Sequence, residues 1–303
     1  MKYLMRSVYS IVAVGILSTM VGFDFSKHSI PIEEINDGGP PKDGIPALFD
    51  PQFIEAEEAD YLKSSERILG VVINKEVKAY PIRILNWHEM VNDRVGGKDV
   101  LITYCPLCGT GIAFDAKVNG KRMLFGVSGK LYNSDVLFYD KETESLWSQL
   151  KMEAVTGTLT GQKLIPLPMV YTTWQDWKEK HPDTKVLSPK TGHFRDYERN
   201  PYEEYAKNQE ILFPTSFKDK RLPAKTWVIG IIINGKTKAW PLVKLKNSPP
   251  LIQDVIGGQE IEIEFDFTNQ TVEVKDKTGN LIVAIQSYWF AWSAFYPETE
   301  LYE

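Results

Sequence analysis

The chain has 303 residues, of which 43% are hydrophobic and 25% charged, with a formal net charge of −5. A chain of this length buries a full core without cross-links, so its two cysteines are not needed as staples. The mild acidity and the lack of a basic stripe exclude a nucleic-acid partner, which would need clustered Lys and Arg against phosphate.

From the N-terminus, Lys2 and Arg6 precede an uncharged stretch from Ser7 to Phe23 that contains Ile11-Val12-Ala13-Val14-Gly15-Ile16-Leu17. Positive charge followed by a short apolar run is the layout of a secretory signal. The run is shorter than the ~20 apolar residues that span a bilayer comfortably. No small-x-small cleavage site follows, so an uncleaved anchor is the alternative, and the absence of an early cysteine excludes a lipid-anchored form. Residues 1–24 are therefore read as signal or anchor, and the mature protein as exported, periplasmic or extracellular, touching a membrane only through that anchor. Residues 25–65 read as an N-terminal arm, with Gly and Pro neighbours in Glu33–Pro46 that favour a chain draped over the surface.

Residues 66–150 form a first module. Val71-Val72-Ile73 is an apolar run of strand length, Asn74-Lys75 a turn, and Val77–Tyr80 the returning strand. Pro81 ends that strand and suits the first turn of a helix over Ile82–Val91. Val100–Tyr104, Ile112–Asp115, Met123–Val127 and Val136–Tyr139 follow as further strands. Residues 151–224 read as a connector rich in Pro and Thr, with one helix, Trp174 to Lys180, capped by Thr173 and stopped by Pro182. Residues 225–303 repeat the first module in degenerate form. LGVVINKEVKAYPIRIL at 69–85 and IGIIINGKTKAWPLVKL at 229–245 agree at seven of seventeen positions, including Gly70/Gly230, Asn74/Asn234, Lys78/Lys238 and Pro81/Pro241. Asp93 with Gly96-Gly97 matches Asp254 with Gly257-Gly258, and Phe138–Glu144 is aligned with Phe295–Glu300. A spacing near 160 residues is too long for a solenoid and indicates duplication of one module of about eighty residues. The expected fold class is α+β: a β-rich compact body built from two related modules with short helices.

Both cysteines fall in one stretch, Cys105-Pro106-Leu107-Cys108-Gly109. C-P-x-C-G has the shape of a metal-binding knuckle: Pro106 sets the turn, and Gly109 can take the positive φ that lets backbone N–H groups face sulfur. Module two has Glu264-Phe265-Asp266-Phe267-Thr268 in the same place, without thiols, so sulfur is not a requirement of the module. If the helix from Ile82 holds, Ile84, Leu85, His88 and Val91 share one face. His88 would then lie across the mouth of the CPLCG loop, with Glu89 beside it in sequence but pointing elsewhere. Two cysteines, one histidine and an open position form a catalytic zinc arrangement that copper would also accept. His28 and His181 are weaker ligand candidates, and His193 would need the connector to fold over the site.

A second polar cluster follows, with Ser128 between glycine-bounded strands and Asn133-Ser134-Asp135 in a turn. The G-x-S-x-G pattern fails at Lys130. Asp135 is a candidate acid/base, or a partner that orients His88. No H-E-x-x-H, P-loop or dinucleotide fingerprint occurs.

Asn86-Trp87-His88-Glu89, the CPLCG stretch, the Gly126-to-Asp135 segment and Tyr139-Asp140 through Trp147 together resemble the bacterial family known as domain of unknown function 3179. The resemblance runs from about Ile45 to Tyr205 and more weakly onward. It implies a prokaryotic, commonly exported protein and no particular reaction. Three function classes follow from the residues. The leading one is a zinc- or copper-binding protein or metalloenzyme using Cys105, Cys108 and His88, with a metal or small molecule as its ligand. The second is a thiol–disulfide redox protein. The third is a binding module in which Trp87, Trp147 and the Trp289–Tyr296 cluster line a groove around a structural disulfide.

Overall fold

The computed structural model describes residues 22–302, so the expected signal or anchor lies almost wholly outside the described residues. Among the described residues no helix is long and apolar enough to cross a membrane. They form five sheets of three to five strands, one two-stranded ribbon and a few short helices, a β-rich body as expected.

The first hairpin pairs Arg67–Ile73 with Glu76–Pro81 in antiparallel register. Asn74 and Lys75 take positive φ at its tip, the left-handed pair that matches the twist of the strands. Pro81 then caps a helix over Ile82–His88. That helix is one turn shorter than the sequence suggests. Glu89 adopts φ 56 and ends it, and Val91 lies in the next strand, Met90–Val95. This strand pairs with Lys98–Cys105, which pairs in turn with Thr110–Asp115.

The stretch read as a connector contributes to the same body. Val170–Thr173 pairs with Arg67–Gly70, and Lys185–Val186 lies parallel to Lys78–Ala79. Between them the helix Trp174–Lys180 forms as expected, with the Thr173 side chain accepting from the Asp176 N–H. The arm is likewise tied down, since Ile35–Asp37 pairs with Lys130–Tyr132 as an edge strand.

Residues 227–301 run through the same order of elements. A hairpin (Trp227–Ile233 with Lys236–Pro241) leads to a short helix (Leu242–Leu245) and a meander (Leu251–Ile256, Gln259–Asp266, Thr271–Asp276). A strand (Ile285–Tyr288), a helix (Trp289–Phe295) and a parallel edge (Glu300–Leu301) complete it. Matching side chains do matching work. Lys78 binds Asp93 at 2.9 Å and Lys238 binds Asp254 at 2.7 Å. Trp177 and Trp292 are buried and donate their indole N–H groups to Thr184 and Thr299. A Cβ on Gly70 would meet the Trp177 ring at 2.4 Å, and one on Gly230 the Trp292 ring at 2.2 Å, so neither strand tolerates a side chain there.

One expectation changes. The C-terminal segment Trp289 to Thr299 corresponds in place and bonding to Trp174 to Thr184, not to Phe138–Glu144. A separate sheet, Phe125–Tyr132, Asp135–Asp140, Leu146–Ser148 and Glu153–Ala154, also stands inserted between Thr110–Asp115 and Val170–Thr173, in an order of elements that residues 227–301 follow without one.

Candidate metal centre

The register fixes where the thiols stand. Cys105 pairs with Thr110, so Pro106-Leu107-Cys108-Gly109 is a four-residue hairpin loop and Cys105 is the last residue of its strand. Gly109 has φ 65, and a Cβ there would meet the Trp227 ring at 2.3 Å. The loop needs glycine for both reasons. Tyr288 N–H donates to the Cys108 carbonyl at 2.8 Å and Tyr205 Oη to the Leu107 carbonyl at 3.0 Å, pinning the loop from two sides.

The inserted sheet supplies the third group. Asn133 and Ser134 take φ 51 and 64, forming the tight turn between Phe125–Tyr132 and Asp135–Asp140. The turn brings the Ser134 carbonyl to 3.2 Å from Cys108 Sγ, which donates to it. It also delivers Asp135. Ligand atoms of Cys105, Cys108 and Asp135 all lie within 4.8 Å of one another, and all three residues are buried. Asp135 Oδ2 accepts from the Leu150 N–H at 3.1 Å, whereas its Oδ1 is buried without a hydrogen-bond partner. Nearby, Ser134 Oγ and Gln149 Oε1 are buried and unpartnered as well.

His88 is not part of this group, which corrects the expected ligand set. Its Nδ1 lies 2.7 Å from the Pro46 carbonyl and its Nε2 2.6 Å from Tyr197 Oη, so both ring nitrogens have partners away from the thiols. The physical reason is the early end of the helix. The left-handed turn at Glu89 sends His88 to one side and Glu89 to the other. Glu89 is the residue beside the site: its carbonyl accepts from the Tyr104 N–H at 2.7 Å, the charge of Asp135 acts on its buried carboxyl, and that carboxyl in turn acts on the Cys105 thiol.

Electrostatics follow from enclosure. Burial pushes the Glu89 carboxyl up to about 8, with the charge of Asp135 adding to it. Burial raises Asp135 to about 7, against the Leu150 N–H that its Oδ2 accepts and the neighbouring Val136 N–H and thiols, all of which pull the other way. Cys105 and Cys108 are raised by burial, and neighbouring Asp135 raises both further. His88 moves the opposite way, down to about 4, mainly because burial disfavours the imidazolium. Burial therefore favours the protonated form of each of these carboxyls and thiols.

The other candidates have structural partners. Ser128 Oγ donates to the Leu137 carbonyl and accepts from the Lys130 N–H, closing a bulge in its strand. Asn133 Oδ1 accepts from Ser216 N–H and Oγ. His28 bonds the Ile30 carbonyl, and His181 packs its ring on Trp177. His193 is exposed, with its ring 5.5 Å from that of His88. Trp147, Trp289 and Trp292 are fully buried in the core, and of the aromatic residues expected in one groove Trp87 and Phe290 line two separate clefts. Tyr202 and Tyr205, from the segment after residue 187, cover the thiols, and no local sequence signal marks either. Lys225 Nζ donates to the Tyr205 carbonyl and helps hold that cover.

The family model described as Protein of unknown function (DUF3179) matches residues 42–299. No curated protein and no solved structure matches the chain.

Proposed function

The chain belongs to the DUF3179 family of proteins of unknown function, and because membership brings no reaction with it, we propose a role from the site: an exported protein that holds a zinc ion through Cys105, Cys108 and Asp135. The observation that carries this reading is the enclosed three-residue cluster with one carboxylate oxygen lacking any partner. A buried carboxyl with an unsatisfied oxygen is costly, and a cation there would remove the cost. The donor set is two soft sulfurs and one hard oxygen. Zinc accepts both kinds, whereas copper(I) favours sulfur, so zinc is the better fit of the two metals expected.

Charge supports the same assignment. Two thiolates and one carboxylate carry three negative charges against two on the ion. A protonated Glu89 adds none, and its raised pKa keeps it protonated near neutrality. Glu89 is then a proton donor or acceptor at the edge of the centre, the place for an acid/base group. The parallel order of elements in residues 67–187 and 227–301 supports an internal duplication. In this account one copy gained the thiols and the inserted sheet that carries Asp135.

A second reading is a thiol–disulfide protein in which Asp135 takes a proton from Cys108. The observation favouring it is that a carboxylate oxygen of Asp135 lies within 4.8 Å of both thiols. Elemental analysis of wild-type protein, purified reduced with zinc supplied, separates the two. We expect close to one zinc per chain, lost in Cys105→Ser, Cys108→Ser and Asp135→Asn and kept in His88→Ala. Zinc-free wild type with a Cys105–Cys108 bond that forms and breaks reversibly would favour the redox reading.

A further inference from the structure

Beside the centre lies a cleft of about 470 Å³, walled by Trp87, Phe194, Arg195 and Tyr202. Its wall combines three aromatic rings and a cation. Trp87 is half-buried and fixed, since its indole N–H donates to the Arg199 carbonyl at 3.1 Å. Phe194 is 99% exposed, a large apolar ring left wholly in water at the lip. A ring at the lip of a cleft is free to rest against a bound molecule. Arg195 donates to the Phe194 carbonyl at 3.0 Å, and among the described residues it makes no ion pair, even with Asp196 on the same wall. Its charge is felt by His88, whose pKa it helps to lower.

We propose that this cleft binds a small organic anion with a planar body, its carboxylate on Arg195 and its ring against Phe194 and Trp87. An unpaired guanidinium matches a carboxylate with two parallel N–H donors. Flanking rings select a flat, apolar partner, and the volume is that of a small-ligand site. Tyr202 forms the inner wall and is also within reach of the charges of Glu89 and Cys105. Tyr202 thus belongs both to the cleft and to the apolar cluster that holds Cys105 and Cys108. Treating a molecule in the cleft as a substrate of the centre rests on the zinc reading; the binding itself does not.

Benzoate, with benzamide as its uncharged counterpart, is a direct probe for saturation-transfer NMR on the whole protein, with zinc measured on the same sample. Benzoate binds saturably, and benzamide about tenfold more weakly, as expected for loss of a charge-assisted contact. Arg195→Gln weakens benzoate about tenfold, and Phe194→Ala weakens both probes severalfold without unfolding the chain, because the ring makes no core contact. Non-saturable benzoate signals, or unchanged binding in both variants, overturn the proposal. One zinc per chain with no benzoate binding removes the cleft and leaves the metal centre. Benzoate binding to a chain that takes up no zinc removes the centre and leaves the cleft.

Discussion

Two hairpin loops occupy the same place in the two halves of this molecule, and they are held together by different means. Pro106–Gly109 joins Cys105 to Thr110, and 267–270 joins Asp266 to Thr271, each with four residues between the last paired positions. The residue before the returning strand is left-handed in both, Gly109 with φ 65 and Gln270 with φ 49. In the second loop Asp266 caps the turn itself. Its Oδ1 accepts from the N–H groups of Thr268 and Asn269 at 2.8 and 3.2 Å, and its Oδ2 from the Asn269 amide at 2.7 Å. In the first loop the equivalent positions are thiols that face a buried carboxylate. A turn of this shape is therefore stable without sulfur, and the first loop carries a cluster that its geometry does not require.

Where the halves agree, they should respond alike. Trp177→Ala and Trp292→Ala each remove a buried indole resting on a strand glycine, and each should destabilise by about 3–5 kcal/mol in denaturant unfolding. A large loss in one half only would show that the shared architecture is not shared in energy. Where they differ, they should diverge. Gly109→Ala combines left-handed strain with a clash against Trp227 and should cost about 2–4 kcal/mol. Gln270→Gly at the matching position should change stability by no more than about 0.5 kcal/mol, since relief of strain is offset by a freer unfolded chain.

Acidity distinguishes the loops next. In chelator-treated protein Glu89 and Asp135 keep their protons in the folded state up to about pH 8 and 7, while the unfolded chain loses them near pH 4. The unfolded state then binds fewer protons, so stability is fullest below about pH 4 and declines as pH rises through the folded values. Each group adds a slope of up to about 1.4 kcal/mol per pH unit. Unfolding midpoints across pH 5–8 should fall, and Asp135→Asn should flatten that fall. In the second loop, Asp266→Asn should cost about 1 kcal/mol, because the turn keeps one accepting oxygen.

Much of this was legible in the chain. The Asn-Lys turn, the helix after Pro81, the capped helix at Trp174 and the repeat of the hairpin are all set by short-range chemistry, and they occur where local rules place them. That Cys105 and Cys108 belong to one buried cluster was legible too. The third member of the cluster was not. One residue decided it: the left-handed turn at Glu89 ends the helix early and exchanges the directions of His88 and Glu89, and no propensity marks a glutamate for that conformation. Asp135 was visible only as a turn residue, since its approach to the thiols depends on a sheet packing from another part of the chain. Tyr202 and Tyr205 are the extreme case, being brought over the site by a segment with almost no regular structure. Phe-Tyr and Glu-Thr-Glu are short matches, while the spaced Trp-x-x-Trp, Pro and Thr sets of 174–184 and 289–299 share the same bonding.

Cobalt(II) titration of the reduced, chelator-treated protein tests most directly whether the first loop is a metal centre and the second only a turn. The account predicts a sulfur-to-cobalt charge-transfer band saturating at one cobalt per chain, reduced in Cys105→Ser and Cys108→Ser, shifted in Asp135→Asn and unchanged in His88→Ala and Asp266→Asn. Absence of any such band in reduced wild-type protein, or a band that Asp135→Asn leaves untouched and His88→Ala abolishes, would contradict it.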